Sequence, residues 1–489
     1  MSSLFSRIFA QPASNKQTDN PTDHQTVNQT LTDVEDKEGE SEAGQTESGE
    51  TKTAPKKPGS VFGSAALIAG TTVGAGVLAL PAVTLPVGLL PSTALMVAAW
   101  LYMLVSGLLI AEANLQAMRQ TGSADVGLLA TVRLSLGKRG AIAAGTVYIF
   151  IHYALLVAYV ARGGDILADA IASFARAVGM VQTVPLWWGH VAFVAIFGGI
   201  LYGGSKRFTT RLNSVLVIFV VVSFGGLLGL TLEQVDVSRW QFQQWAAVSS
   251  AVPVMFVAFV YQNVVPVITT QLAGDVRKIR RSIVIGSLVP LTMFVLWNAV
   301  ILASVGVETL AVNSNLNSEL AAGTVLDPIE LLRQGTAHPL LGVAVSVFSE
   351  VAIATSFIGF IFGLLDIFED IFKSALKQIA KRLAEQTVSQ IAQARRNIIY
   401  GLTLTLPLLL SFTDPNIFFE AIDFAGAFGN SILFGVIPVL VVWKMRNASP
   451  PSEPLVPGGK GLLIGVMAIA VGIILQNAWL KASAFLSSL

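Results

Sequence analysis

Two apolar stretches of the chain contain polar residues and helix-weakening residues where an uninterrupted helix would otherwise be expected. The first places Thr71 and Thr72 among Gly70, Gly74 and Gly76, in the sequence GTTVGAGVLALP. Glycine weakens a helix, and backbone groups freed inside a membrane are tolerated only around a polar cavity. Hydroxyl and backbone groups at such a break can bind a small polar solute. Close helix–helix packing through Gly70 and Gly74 is the alternative interpretation.

A second apolar stretch with polar residues favours a polar cavity over close helix packing. It contains Tyr261, Gln262 and Asn263 within an apolar run that also holds Pro253 and Pro266. Pro266 lacks a backbone donor and therefore leaves a carbonyl near Gln262 without its helical partner. Two interrupted segments in corresponding halves of a chain are typical of secondary transporters built from inverted repeats.

Ionisable and hydroxyl-bearing residues inside apolar segments are functional hypotheses by default. Tyr148, His152 and Tyr159 fall on one helical face, since they follow one another after four and seven residues. Glu350 can shuttle a proton or form a structural hydrogen bond to the next helix. Asp423 belongs to a polar stripe with Glu420 and Asn430 on one predicted helix. This stripe serves either gating and proton entry or contact with water.

The composition excludes ordinary soluble proteins. Of 489 residues, 53% are hydrophobic and 12% charged, against roughly one-quarter charged in soluble domains. A soluble enzyme or a nucleic-acid binder is therefore not expected. Cysteine is absent, and the four histidines, at positions 24, 152, 190 and 338, are too scattered for a metal cluster. No G-x-S-x-G or H-E-x-x-H motif occurs, so we predict no enzyme activity, cofactor or metal.

The chain is predicted to be an all-α integral membrane protein with eleven transmembrane helices. Apolar segments of roughly twenty residues, the length that crosses a bilayer, recur from Ser60 onward. Their approximate bounds are 60–83, 89–117, 139–161, 186–204, 212–231, 249–273, 281–304, 340–366, 398–413, 417–443 and 460–480. Lys and Arg concentrate in alternate loops, which predicts a cytoplasmic N-terminus and an outer C-terminal end at 481–489.

The repeats and the tail follow from these segments. Residues 60–231 and 249–443 would form the two repeats, with 460–480 as an added helix in a transmembrane domain of residues 60–480. Residues 1–59 are polar and acidic and lack a periodic apolar face. Such a segment cannot bury enough apolar surface to offset its ordering entropy, so we predict a disordered cytoplasmic tail. The tail is either regulatory or dispensable.

Four segments together resemble one known family. They are GTTVGAGVLALP (70–81), LLIAEANL (108–115), FVYQNVVPVITTQLAGD (259–275) and ATSFIGFIFGLLDIFEDIF (354–372). In this order they are similar to the hydroxy and aromatic amino-acid permeases, the tyrosine/tryptophan-specific group of the amino acid–polyamine–organocation superfamily. The resemblance covers about Pro58 to Leu480. Gln262 departs from it, because the family pattern has a histidine there and glutamine does not titrate.

The resemblance implies a LeuT-type 5+5 inverted repeat with helices 1 and 6 interrupted, and proton-driven symport of tyrosine, tryptophan or phenylalanine across a cell inner membrane. It implies substrate and coupling sites built from several helices. The expected substrate-binding residues are Thr71, Thr72, Gly74, Gly76, Tyr148, His152, Phe256, Phe259, Tyr261, Gln262 and Asn263. The expected ion or proton coupling residues are Glu350, Thr355, Ser356 and Asp423.

Two alternatives remain open at this point. One is a sodium-coupled neutral amino-acid symporter of the same fold, in which Thr355 and Ser356 would supply hydroxyl ligands to the cation. The other is a non-transporting membrane sensor that signals through the N-terminal tail. For the aromatic amino-acid symporter, the expected partners are an amino acid, a coupling ion (a proton rather than sodium) and the lipid bilayer. Nucleic acid is not expected.

Overall fold

The structure, a computed structural model, describes residues 59–487 except 75, 124–125, 180–184, 233–234, 306–338, 381–384, 415 and 449–453. The predicted tail lies outside these residues, apart from Gly59. Every regular element in the described ranges is helical. The helices are α1 Val61–Thr72, α2 Gly76–Thr84, α3 Leu89–Thr121, α4 Leu128–Ala177, α5 Leu186–Gly203, α6 Lys206–Thr231, α7 Val248–Ala258, α8 Val265–Gln271, α9 Val276–Ser304, α10 Pro339–Ala380, α11 Glu385–Leu410, α12 Ile417–Ala448 and α13 Gly459–Ser487.

Nine helical segments of the described chain are long and apolar enough to cross a membrane, and the bent pair α1–α2 makes a tenth. These ten coincide with ten of the eleven predicted segments. The segment predicted at 398–413 lies in α11, which is helical but does not meet the same criterion. The N-terminal half of α11 carries Arg395 and Arg396, so its apolar part is short. The number of eleven spans therefore stays a prediction.

The helices pack in two groups. In the first group α1 packs on α9, α2 packs on α7, and α3 packs on α7 and α9. In the second group α4 and α6 pack on α10, with α5 and α11 against α4. Helix α12 contacts α3 and α7 on one side and α4 on the other, and α13 covers its outer face. The core of buried apolar side chains runs through both groups.

Local sequence signals set several helix ends. The Ser60 hydroxyl accepts a hydrogen bond from the Gly63 amide at 2.9 Å and caps α1. Asp275 caps α9 by accepting from the Lys278 amide at 3.0 Å, and this bond lowers the pKa of the Asp275 carboxyl. Gly137 has a φ of 74°, which L side chains rarely adopt, and it kinks α4 after its first turns.

One end of the bundle is rich in Lys and Arg and is called the basic end below; it includes Arg119, Arg281 and Lys444. There Glu112, at 4% exposure, is bound by Arg446 through both carboxylate oxygens at 2.6 and 2.8 Å. At the opposite end, Arg239 donates to the carbonyls of Ala303 and Ser304 and so caps the last turn of α9. These contacts tie the connecting segments to the ends of the helices.

Candidate functional site

The first candidate segment bends by 55° between α1 and α2. Val73 is extended, with φ −77° and ψ 96°, and α2 resumes at Gly76. The Thr71 and Thr72 hydroxyls each donate to a carbonyl one turn earlier, at Leu67 and Ile68, both at 2.8 Å. Because their hydrogens are used within α1, these two hydroxyls can offer only acceptor lone pairs to a ligand.

The second candidate segment leaves the helical path after Ala258. Phe259 and Tyr261 have non-helical dihedral angles, and a short 3₁₀ turn over Gln262–Val264 leads into α8. The Tyr261 hydroxyl and the Gln262 amide both donate to the Met103 carbonyl on α3, at 3.1 and 3.2 Å. Gln262 also accepts from the Tyr261 amide at 2.9 Å. These two side chains therefore hold the break in place against α3.

A small cavity of 30 Å³ lies between the two breaks. Its lining residues are Thr71, Thr72, Gly74, Gly76, Leu155, Tyr159, Val257, Val260, Asn263, Ser356 and Phe360. This volume has room for about two water molecules, whereas sites for organic ligands measure roughly 300–1,000 Å³. An aromatic amino acid would therefore need the surrounding helices to separate.

Two glycines allow the backbones to approach at this cavity. A Cβ at Gly74 would lie 2.1 Å from the Ser356 hydroxyl oxygen, and one at Gly76 would lie 2.9 Å from the Ala258 Cα. Both distances are shorter than any real Cβ contact. Gly76 therefore allows the close approach of the first break to the α7 backbone, and a side chain at Gly74 would displace the Ser356 hydroxyl of α10.

Asn263 is the polar group that the cavity leaves unsatisfied. Its side-chain oxygen is buried and has no hydrogen-bond partner. A buried acceptor without a partner costs about 1–3 kcal/mol. Such a group in a cavity lining indicates a ligand with a hydrogen-bond donor.

An aromatic row leads away from the cavity along α4 and α10. Tyr159 and Phe360 line the cavity with ring centroids 5.7 Å apart, and Phe360 lies 5.0 Å from the His152 ring. His152 stacks on Tyr148 at 3.9 Å. Tyr148 and His152 were expected at the substrate, but neither lines the cavity; Phe360 separates them from it.

The remaining expected residues are dispersed. Phe256 stacks on Tyr102 at 4.9 Å and Phe259 packs on Phe294 at 5.2 Å, so both rings point into helix contacts. The Thr355 hydroxyl donates to the Ala352 carbonyl of its own helix.

The two acidic candidates lie apart from the cavity lining. The Glu350 Oε2 atom is buried without a hydrogen-bond partner, and Asp423 forms an ion pair with Lys481 at 2.6 Å. The structure therefore gathers Thr71, Thr72, Gly74, Gly76, Asn263 and Ser356 from the expected set and leaves the others outside the cavity lining.

Sequence reasoning missed part of the lining. Leu155, Val257, Val260 and Phe360 were not expected there, and Tyr159 was noted only for its helical face. A signal for Phe360 exists in the sequence, because it follows Ser356 by four residues and so shares its face of α10. Within the ranges that the structure describes, no three His, Asp or Glu side chains are grouped in a way that could hold a metal ion.

The helical bundle described above has the LeuT fold. The solved structure of MhsT in complex with L-phenylalanine shares this fold, with a TM-score of 0.52 and 16% identity over 86% of this chain and 98% of that one. The chain belongs to the tryptophan/tyrosine permease family, whose model matches residues 57–477. It is therefore a multi-pass membrane transport protein and not an enzyme.

Named relatives agree with the family. A tyrosine-specific transport system 1 of Haemophilus influenzae is 29% identical over 416 residues, which cover 84% of this chain and 94% of the relative. A tryptophan-specific transport protein of the same organism is 30% identical over 445 residues, which cover 87% and 98%. Both similarities extend over more than four-fifths of this chain.

Proposed function

We propose that this protein is a secondary active symporter that imports aromatic amino acids and binds them at the cavity between the two breaks. The observation that carries the site is the buried, unpartnered oxygen of Asn263 in the cavity lining. The names of the tyrosine- and tryptophan-specific relatives support the substrate class.

The polar groups of the cavity suit the two ends of a zwitterion. The Asn263 oxygen and the Thr71 and Thr72 lone pairs are acceptors, so they would receive the substrate ammonium. The backbone amides at the start of α2, near Gly76, form the positive end of the helix dipole and would bind the substrate carboxylate. The threonine hydroxyls themselves cannot donate to that carboxylate while they donate to Leu67 and Ile68.

The apolar part of the lining would hold the side chain of the substrate. It is formed by three parts of the chain: Leu155 and Tyr159 of α4, Phe360 of α10, and Val257 and Val260 at and just after the end of α7. Tyr159 and Phe360 already form an edge-to-face pair, and a third aromatic ring could join them in the same geometry. An aromatic side chain therefore fits this surface better than a charged one.

The two helix groups support alternating access. Helices α1–α6 and α7–α12 would be the inverted repeats, each of which begins with a broken segment, and α13 is an addition. The first group, α1–α3 with α7–α9, would rock against the second, α4–α6 with α10 and α11. The loop positions of Lys and Arg support a basic end in the cytoplasm and an inner-membrane location.

Coupling requires a group that changes its charge during the cycle or a bound cation. His152 of α4 and Glu350 of α10 are titratable candidates on the two helices that supply Tyr159, Ser356 and Phe360 to the cavity. Sodium coupling is the alternative, because Ser356 and the threonines of α1 would offer oxygen ligands. We favour the proton, in keeping with the family resemblance.

The experiment is uptake of radiolabelled tyrosine and tryptophan into proteoliposomes, with a proton gradient and a sodium gradient imposed separately. Accumulation driven by protons alone supports the proposal. Accumulation driven by sodium alone refutes proton coupling and leaves the substrate assignment intact. If the purified protein neither accumulates nor binds either amino acid, the substrate assignment is wrong. The alternative of a non-transporting sensor that signals through its N-terminal tail would then have to be tested.

A further inference from the structure

The aromatic row beyond the cavity continues toward the basic end of the bundle. Along α4 it passes from Tyr159, which lines the cavity, to His152 and then to Tyr148. Phe360 of α10 contacts both Tyr159 and His152 and so stands between the cavity and the histidine. The Phe360 ring therefore separates His152 from the cavity.

The hydrogen bond of His152 fixes which nitrogen can take up a proton. Its Nδ1 lies 2.8 Å from the Tyr148 carbonyl oxygen, which can only accept, so Nδ1 is the protonated nitrogen. The neutral ring therefore presents an unprotonated Nε2 on its other side. His152 is 4% exposed, so this basic atom lies inside the protein.

Gly363 brings that nitrogen close to a second protonatable group. A Cβ at Gly363 would lie 2.4 Å from His152 Nε2 and 2.9 Å from the Tyr148 hydroxyl oxygen. Both polar atoms therefore meet at the surface of one glycine of α10, where no side chain stands between them. The two atoms therefore lie at most 5.3 Å apart, a separation that one water molecule can bridge.

The row ends at an acidic group in a second, larger cavity. Asp366, three residues after Gly363 on α10, acts electrostatically on the Tyr148 phenol. Asp366 is exposed and lines a cavity of 540 Å³ at the basic end, together with Glu369, Arg395 and Arg396. A proton that reaches Asp366 is therefore in contact with water.

We propose that His152 carries the coupling proton and that Tyr148 and Asp366 release it at the basic end. This inference rests on the proposed proton-coupled function. The His152 Nε2 lone pair accepts a proton from the central cavity when the Phe360 ring moves aside. On release that N–H bond breaks, the Tyr148 oxygen takes this proton and passes its own hydroxyl proton to the Asp366 carboxylate, and water receives it there.

The surroundings of the pair favour this route over Glu350. The groups that face Tyr148 and His152 are Tyr159 on α4 and Phe360, Gly363 and Asp366 on α10, while α12 meets this part of α4 with the uncharged contact of Gly429 on Ile151. Glu350 lies six residues before Ser356, on the far side from Asp366. Its Oε2 has no hydrogen-bond partner in the described chain.

The test separates substrate movement from proton movement in His152→Gln proteoliposomes. Glutamine keeps a donor for the Tyr148 carbonyl and removes the titratable nitrogen. With about 100 mV inside negative, one proton per zwitterion supports up to about 50-fold accumulation in the wild type. We expect His152→Gln to bind tyrosine or tryptophan and to exchange it across the membrane, with no accumulation and no substrate-induced acidification of trapped pyranine.

His190→Gln is the matched control. His190 is the other buried histidine of the described chain, and it binds Asp165 and Ser411 away from the row. It should accumulate substrate as the wild type does. If His152→Gln also accumulates substrate normally while the wild type is proton-driven, our inference is wrong and the proposed function stands. The same holds if Glu350→Gln uncouples transport and His152→Gln does not.

A second variant covers the case in which His152→Gln fails to insert or to bind. Tyr148→Phe keeps the ring stack and removes the hydroxyl relay, so it should slow proton release and accumulation while exchange stays unchanged. Unaltered proton flux in Tyr148→Phe would exclude this exit route. If the wild type itself accumulates substrate only with sodium, both the proton coupling and this inference are wrong.

Discussion

Asn263 carries the clearest consequence at the scale of a single residue. Its buried oxygen pairs with nothing in the described chain, and a substrate ammonium would satisfy it. Hydrogen bonds to charged groups contribute about 1.5–3 kcal/mol. Asn263→Ala should therefore weaken tyrosine or tryptophan binding by about 10- to 100-fold, measured as a Kd on purified protein.

The control for this substitution is Asn477→Ala. Asn477 donates to the Ile473 carbonyl of its own helix, α13, and does not line the cavity. Its replacement should leave the Kd unchanged. An equal loss in both variants would indicate a general effect on the fold, and an unchanged Kd in Asn263→Ala would remove this residue from the site.

Gly74 can be tested against a neighbour of the same type. A Cβ at Gly74 would lie 2.1 Å from the Ser356 hydroxyl oxygen, whereas a Cβ at Gly70 would meet only Val217 Cγ1 at 3.6 Å. Gly74→Ala should therefore lower uptake, because the Ser356 hydroxyl, which lines the cavity, must rotate away from the added methyl group. Gly70→Ala should transport normally. Membrane insertion is checked by surface expression, and equal uptake by both variants would contradict the close-contact role.

The direction of a side chain at a break could not be obtained from the sequence. The glycines, threonines and Pro266 marked where the two segments would depart from a regular helix. Phe256 and Phe259 were expected at the substrate from the family resemblance, which carries no information on the direction of a side chain in an irregular segment. Residues 259–261 leave that periodicity, so Val260 turns to the cavity and Phe259 packs on Phe294.

At the scale of the elements, the ion pair between Glu112 and Arg446 joins the basic ends of α3 and α12. Glu112 also accepts from the Leu455 amide at 2.9 Å, and Arg446 donates to the Val456 carbonyl at 3.0 Å. The pair thus fixes the segment between α12 and α13 to both helices. Removing one partner of a buried pair is costly because it leaves an uncompensated charge.

A double-mutant cycle tests this contact. Arg446→Met should lower the stability of the detergent-solubilised protein by about 3 kcal/mol, seen as a lower Tm. Glu112→Gln in the Arg446→Met background should restore part of the loss, because the unpaired charge disappears. Additive losses in the double variant would show that the two side chains contribute independently.

Helix existence and order followed from the apolar segments, but helix ends and tertiary partners did not. Helix α4 runs from Leu128 to Ala177, beyond the predicted span of 139–161 at both ends, and its first turns are separated from the rest by the kink at Gly137. Asp423 was expected to serve gating and proton entry or to contact water, and the sequence did not indicate that Lys481 of α13 pairs with it. Such a partner is distant in sequence, and periodicity within α12 carries no information about it.

At the scale of the whole molecule, the size of the central cavity bears on how the proposed site would admit its substrate. A volume of 30 Å³ cannot contain an aromatic amino acid, so the proposed site would have to open, as separation of the two helix groups would allow. Packed helix groups move as bodies because their interiors do not deform continuously. The site should therefore be reachable from water only during part of the cycle.

The absence of cysteine from the chain makes this accessibility measurable. Val260 lines the cavity and is 8% exposed, so the thiol introduced by Val260→Cys should react slowly with a water-soluble maleimide. Saturating tyrosine or tryptophan should slow it further, because the substrate would occupy the same surface. Ser249→Cys, near the exposed start of α7, should react quickly and independently of substrate. Fast labelling of Val260→Cys that no aromatic amino acid alters would contradict both the closed cavity and its assignment as the substrate site.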